Sequence, residues 1–325
     1  MSLAIDRYLV PNGDGWKLEL KRSVSPEHFN PALRPLLILP GYGMNAYIFG
    51  WPEQGASMER CLAEQGFEVW SGGLRHQGRS ERVEPGAGPP GLRAYAETDL
   101  PALLAELLDR SRTEADLVDV IGASLGGAVV FAHLALDDDS LVGNVVAMGA
   151  PLRWEKAHPM LTVMFRSRRL AKILPMRGTD KLARLVFPFI GRVAPQVLSI
   201  YMNLDHVDIN KASELTRTVD EPHRLVNRDI ASWVRAKDMV LRSINITKAM
   251  ADVHNPLLVI YANADGIVPP ETATSVVQAW GGRDVTVWEI GTDEDWYAHA
   301  DLFIAPDTPR KVFAPMAEWL RQRAT

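Results

Sequence analysis

Residues 117–136 read LVDVIGASLGGAVVFAHLAL, and this stretch decides the fold. Its first part, LVDVIGAS, is an apolar run of strand length. Its second, LGGAVVFAHLAL, has the length and composition of a buried helix. Gly122-Ala123-Ser124-Leu125-Gly126 stands between them in the pattern G-x-S-x-G. A chain that passes directly from a strand into a helix strains the residue at the corner, and side chains beside it collide. Glycines on both sides of Ser124 therefore fit a junction that projects Ser124 Oγ from the top of a sheet. Gly127 lets the helix sit close to neighbouring strands. A plain Gly-rich turn has the same letters, so the reading depends on what the rest of the chain supplies.

Working outward, LLIL (36–39) is a short all-apolar run that ends in Pro40-Gly41-Tyr42-Gly43 and suits a strand covered on both faces. Before it, AIDRYLV and WKLELKRSV flank Asn12-Gly13-Asp14-Gly15 and predict a hairpin. ASMERCLAEQG predicts a helix stopped at Gly66, FEVWSGG a strand, and 94–110 a helix. GNVVAMGAP (143–151), PLLVIYANAD (256–265) and VTVWEIG (285–291) predict further strands, with a last helix over 308–323. Strands alternating with helices imply an α/β fold: a mostly parallel central sheet flanked by helices. Residues 152–254 break that rhythm with helical patterns, Pro breaks and no clear strand. The expected organisation is a core of 1–151 and 255–325 with 152–254 inserted as a helical cap. Residues 151–250 carry a charge balance of +9 and the remainder −14.

The whole chain of 325 residues has a net charge of −5 and 47% hydrophobic residues, which excludes a collagenous or disordered chain and gives no basic signature for nucleic acid. The single cysteine, Cys61, forms no internal disulfide and suits a reducing compartment. No basic-then-apolar leader opens the sequence, and no apolar run reaches the ~20 residues that span a bilayer, so a cytoplasmic location is expected.

A serine hydroxyl needs a base to become a nucleophile at neutral pH. Of eight histidines, His299 alone lies between the last predicted strand and the final helix, on a loop able to return to the sheet edge beside Ser124. His133, about three turns into the helix after Ser124, reads as packed or solvated. The base needs an orienting carboxylate. Asp265 leaves the strand LLVIYANAD at that same edge and is the expected partner, with Asp293, Asp295 and Asp301 as competing acids. Asp301 stands only two residues from His299 and would need a cramped geometry. A developing oxyanion needs N–H donors. The Leu125 amide at the start of the helix is one candidate, and the Tyr42 amide in the loop after LLIL is the other.

With these residues in view, the chain resembles the α/β-hydrolase superfamily, lipase/esterase type. LILPGYG resembles the oxyanion loop of those families, which usually carry His where Pro40 stands. EQGFEVWSGGLRHQGRS and ETDLPALLAEL resemble segments of acid lipases, and NADGIVPP and YAHADLF resemble the acid and histidine motifs. There is weaker similarity to polyhydroxyalkanoate depolymerases and to synthases, which use Cys at the position of Ser124. The likeness spans the core, about 1–150 and 256–325, and leaves the insertion uncovered. It implies a serine hydrolase acting on carboxylic esters, with catalytic Ser124, Asp265 and His299, oxyanion donors Tyr42 and Leu125, and no cofactor or metal. An acyltransferase on the same fold and a non-catalytic binding protein are the alternatives. The expected partner is a small-molecule ester. The methionines and aromatics of 152–254 suit an apolar pocket, and its basic balance suits weak contact with an anionic membrane surface or with an acidic core. Oligomeric state is not legible. Asp137-Asp138-Asp139 reads as a solvated loop and Arg166-Ser167-Arg168-Arg169 as an exposed helix face.

Overall fold

The computed structural model describes residues 2–52, 55–159, 198–206 and 212–324. Much of the expected cap, with Phe165, Phe187, Phe189 and the basic run 166–169, lies outside the described residues.

The strands are β1 (Ala4–Pro11), β2 (Trp16–Val24), β3 (Leu36–Leu39), β4 (Val69–Gly72), β5 (Glu81–Arg82), β6 (Val118–Ala123), β7 (Val142–Met148), β8 (Val240–Leu241), β9 (Ile244–Asn245), β10 (Leu257–Ala262) and β11 (Val285–Ile290). All but β8 and β9 join one sheet in the order β1-β2-β4-β3-β6-β7-β10-β11, with β5 on β2. The pairs β4–β3, β3–β6, β6–β7, β7–β10 and β10–β11 are parallel, whereas β1–β2 and β2–β4 are antiparallel. The hairpin, the interior strands and the last two strands stand where the sequence predicts them. Every residue of β3, β6 and β7 is buried, as expected for strands covered on both faces.

The covering helices are α1 (Met58–Glu64), α2 (Leu100–Arg110), α3 (Leu125–Leu134), α4 (Arg224–Ala236), α5 (Ser275–Ala279) and α6 (Ala314–Arg321). Ser57 caps α1 by accepting the Arg60 N–H at 3.3 Å, and Gly66 takes φ +101° just beyond the helix, the backbone stop its sequence position suggests. α2 buries Leu100, Leu103, Leu104 and Leu107, one stripe at helical spacing. All ten residues of α3 are buried, which is why that helix has no polar face. None of the described helices is long and apolar enough to cross a membrane.

One expectation needs correction. The segment 152–254 does contain strands: β8 and β9 pair antiparallel around Arg242 and Ser243, with φ +47° and +67°. Two positive φ values in a two-residue loop are the turn that matches strand twist, usually signalled by Asn or Gly. Arg-Ser carries no such signal, and two-residue strands are too short for an alternation to show.

The strand order explains where a site can form. The chain steps outward from β3 to β4, then returns across β3 to β6. The carboxyl ends of β3 and β6 therefore diverge into loops on opposite courses and open a crevice. Residues 40–43 leave β3 there and Ser124 leaves β6 there. The approach of α3 to β6 is close: a Cβ built on Gly122 would lie 2.4 Å from the Gly127 Cα. Since that atom is backbone, Gly122→Ala must push α3 away from the sheet. A loss of about 1–3 kcal/mol is expected, as for other overpacked interiors, measured as a lower urea midpoint. An unchanged midpoint would mean that α3 does not sit so close.

Candidate active site

Ser124 has φ +51° and ψ −118°, a conformation that side-chain-bearing residues seldom adopt and that costs on the order of 1–3 kcal/mol. The strain is held from both sides. The Ser124 N–H donates to the Met148 carbonyl of β7 at 2.8 Å, and the Ser124 carbonyl accepts from the Gly127 and Ala128 N–H groups at 3.0 and 3.3 Å as α3 begins. A Cβ on Gly126 would fall 2.5 Å from the Leu39 carbonyl oxygen, so glycine is what lets α3 start against the end of β3. The local sequence thus places a half-buried hydroxyl at the mouth of the crevice.

His299 and Asp265 meet at the same edge. His299 Nδ1 lies 2.6 Å from Asp265 Oδ2, and both residues are nearly inaccessible, 5% and 3% exposed. The other carboxylate oxygen of Asp265 accepts the backbone N–H groups of Ile267 at 2.8 Å and Val268 at 2.7 Å. These three bonds orient the carboxylate completely, and through it the imidazole plane. The loop carrying His299 is braced in turn. Ala300 N–H donates to the Tyr201 carbonyl at 2.7 Å, and the Tyr201 ring lies 6.2 Å from the His299 ring.

The competing acids are engaged elsewhere. Asp301 is fully buried and accepts the N–H groups of Ala298 at 2.7 Å and Asn203 at 2.8 Å. It thereby braces the histidine loop, and burial pushes its carboxyl up to about 6. Asp295 pairs with Lys311 at 2.7 Å and lies 3.1 Å from His206. Asp293 is exposed. His133 is buried between the Ala96 carbonyl at 3.1 Å and the Ser140 hydroxyl at 2.8 Å, a packed residue as expected. In the 137–139 loop, Asp137 accepts the Asp139 N–H at 3.1 Å, a local turn bond.

Ser124, His299, Tyr42 and Leu125 all line one cavity of about 230 Å³. Its other walls are mainly apolar: Phe49, Trp154, Ile230, Trp233 and Phe303 among them. Ile230 and Trp233 come from α4, so that helix forms part of the wall of the cavity that Ser124 lines. Leu125 is the first residue of α3, and its N–H has no carbonyl one turn earlier to receive it. Tyr42 donates its phenolic O–H to Asn227 Oδ1 on α4 at 2.7 Å, and burial holds that phenol well above its ordinary pKa. His299 is hydrogen-bonded to Asp265, and His299 and Ser124 line the same cavity.

Two residues near the site carry no recognisable signal in the sequence. Gly149, at φ +54° just after β7, leaves room for the ring: a Cβ there would stand 3.1 Å from His299 Cε1 and 3.4 Å from Asp265 Oδ2. Its place in GNVVAMGAP after a buried strand is the only hint. Gln77 reaches the Gly41 carbonyl from the loop after β4, and nothing local announces that contact.

Residues 34–296 match the sequence model of the family described as the alpha/beta hydrolase fold. No curated protein matches the chain in sequence. Among solved structures it is similar to a thermophilic esterase from Thermogutta terrifontis, with 18% identity, a TM-score of 0.65, and 99% of this chain and 100% of that one covered. It is also similar to a hydrolase from Pseudomonas aeruginosa PA01, with 19% identity, a TM-score of 0.62 and 98% of both chains covered. A serine hydrolase from Cycloclasticus zankles aligns with 15% identity, a TM-score of 0.65 and 98% of both chains covered. The sheet order, the strained serine between β6 and α3 and a family match over most of the length agree, and the chain belongs to the α/β-hydrolase fold family.

Proposed function

We propose that the protein is a serine hydrolase of carboxylic esters with apolar acyl groups, and that residues 152–254 form its cap. The observation that carries this reading is the buried His299–Asp265 pair at the rim of an apolar cavity that also holds the strained Ser124. In the proposed reaction His299 Nε2 takes the Ser124 proton as Oγ bonds to the ester carbonyl carbon. Asp265 keeps the Nδ1 proton on the ring and balances the imidazolium. The carbonyl oxygen becomes an oxyanion received by the Tyr42 and Leu125 N–H groups. The carbon–alkoxy bond then breaks, and His299 returns its proton to the departing alcohol. Water repeats the sequence on the acyl-enzyme and releases the acid. This chemistry draws on the chain's own residues.

The near absence of charged groups from the described cavity wall supports a neutral, apolar acyl group over a charged one. The test is turnover of p-nitrophenyl esters from acetyl to palmitoyl, with labelling by a fluorophosphonate probe. Turnover is expected to rise from acetyl to a maximum and then fall once the acyl chain outgrows the cavity. Absence of both labelling and turnover across the ladder would refute the reading. Accumulation of a new ester in the presence of added alcohol, in place of free acid, would assign acyl transfer instead.

A further inference from the structure

Gln77 sits in the loop after β4, nearly buried, and both ends of its amide are committed. Nε2 donates to the Gly41 carbonyl at 3.1 Å, and Oε1 accepts the Leu74 N–H at 3.0 Å. Only this orientation of the amide satisfies both contacts, because one partner is an acceptor and the other a donor. The loop that presents Gln77 is itself immobilised. Arg75, fully buried, binds Asp99 through its backbone N–H at 3.0 Å and its guanidinium at 2.8 Å, and its carbonyl accepts the Tyr95 hydroxyl at 3.2 Å.

The Gly41 carbonyl and the Tyr42 N–H are the two ends of one peptide group. A trans peptide is planar, with those two bonds pointing in opposite directions. Holding the carbonyl therefore sets the direction of the N–H. Gly41 also packs directly on the nucleophile: a Cβ there would lie 2.9 Å from Ser124 Cβ. A rotation of this peptide would alter what Ser124 and its substrate oxygen meet.

We infer that Gln77 is a positioning residue that fixes the plane of the Gly41–Tyr42 peptide and so aims the Tyr42 N–H at the substrate oxyanion. The inference rests on the serine-hydrolase reading above. Its test is Gln77→Glu, which keeps the shape and the acceptor for Leu74 but turns an oxygen toward the Gly41 carbonyl. Loss of one oxyanion donor costs about 10²–10³ in kcat elsewhere, so misaiming one should cost about 10- to 100-fold here. KM should stay within about twofold. The affinity of a trifluoromethyl ketone, which forms a tetrahedral oxyanion on serine, should weaken by a similar factor; because an oxygen facing the nearly buried Gly41 carbonyl also lowers the urea midpoint, both readings are taken per folded molecule. Wild-type kcat in Gln77→Glu, or a fall in kcat that tracks lost stability with trifluoromethyl ketone affinity intact, would overturn it. Ser124→Ala runs in the same assay. Turnover that persists in that variant would overturn the underlying reading, whereas Ser124-dependent turnover that is indifferent to Gln77 would overturn this inference alone.

Discussion

Ser124→Ala is expected to lower ester turnover by about 10⁵- to 10⁶-fold and to abolish fluorophosphonate labelling. The size follows from the proposed mechanism. Removing Oγ removes the atom that bonds to the carbonyl carbon, so the two-step route through an acyl-enzyme closes. What remains is water attacking a substrate held in the cavity and polarised by the oxyanion donors, a residual worth about 10³–10⁴ over the uncatalysed reaction. Folding should be nearly untouched. The strained backbone at φ +51° is held by main-chain bonds to Met148, Gly127 and Ala128 that alanine also makes. The measurement is kcat/KM on the preferred p-nitrophenyl ester, with the urea midpoint alongside. Undiminished labelling in the variant would show that some other nucleophile reacts and would remove Ser124 from the mechanism.

Asp265→Asn should reduce kcat by about 10⁴-fold with little change in stability. The geometry determines why a nearly isosteric change is so costly. Oδ1 receives two backbone N–H groups, from Ile267 and Val268. An asparagine must keep its carbonyl oxygen there, because an NH₂ group would face two donors. Its NH₂ is then forced toward His299 Nδ1, where Asp265 now accepts at 2.6 Å. A ring that accepts at Nδ1 carries its proton on Nε2, and that tautomer cannot take a proton from Ser124. Comparison of Asp265→Asn with Asp301→Asn separates the two buried acids. Asp301 only braces the loop through the Ala298 and Asn203 amides, so its variant should lose stability before it loses turnover per folded molecule. Wild-type kcat in Asp265→Asn would refute the assigned role.

The parts of this protein legible from sequence are those whose physics is local. Gly122, Ser124 and Gly126 announce a sharp corner because sterics within a few residues demand it. The apolar runs 36–39 and 118–123 announce doubly covered strands because burial on both faces leaves no alternation. His299 emerged from its place after the last strand. The turn at Arg242-Ser243 was not legible, since its backbone conformation lacks the residues that usually adopt it without strain.

Taken alone, then, the sequence established an α/β chain with a serine at a strand–helix corner, one well-placed histidine and four acids able to serve it. The tertiary structure decided which acid meets the ring, and it did so through loop geometry. Asp265 faces His299 because two amides of its own turn hold it there, while Asp301 and Asp295 are drawn to partners elsewhere. It also brought Gln77 to Gly41 across 36 positions of chain. Local sterics are written in neighbouring residues, whereas a hydrogen bond between distant loops depends on how the whole sheet twists and stacks. No short stretch of sequence carries that information.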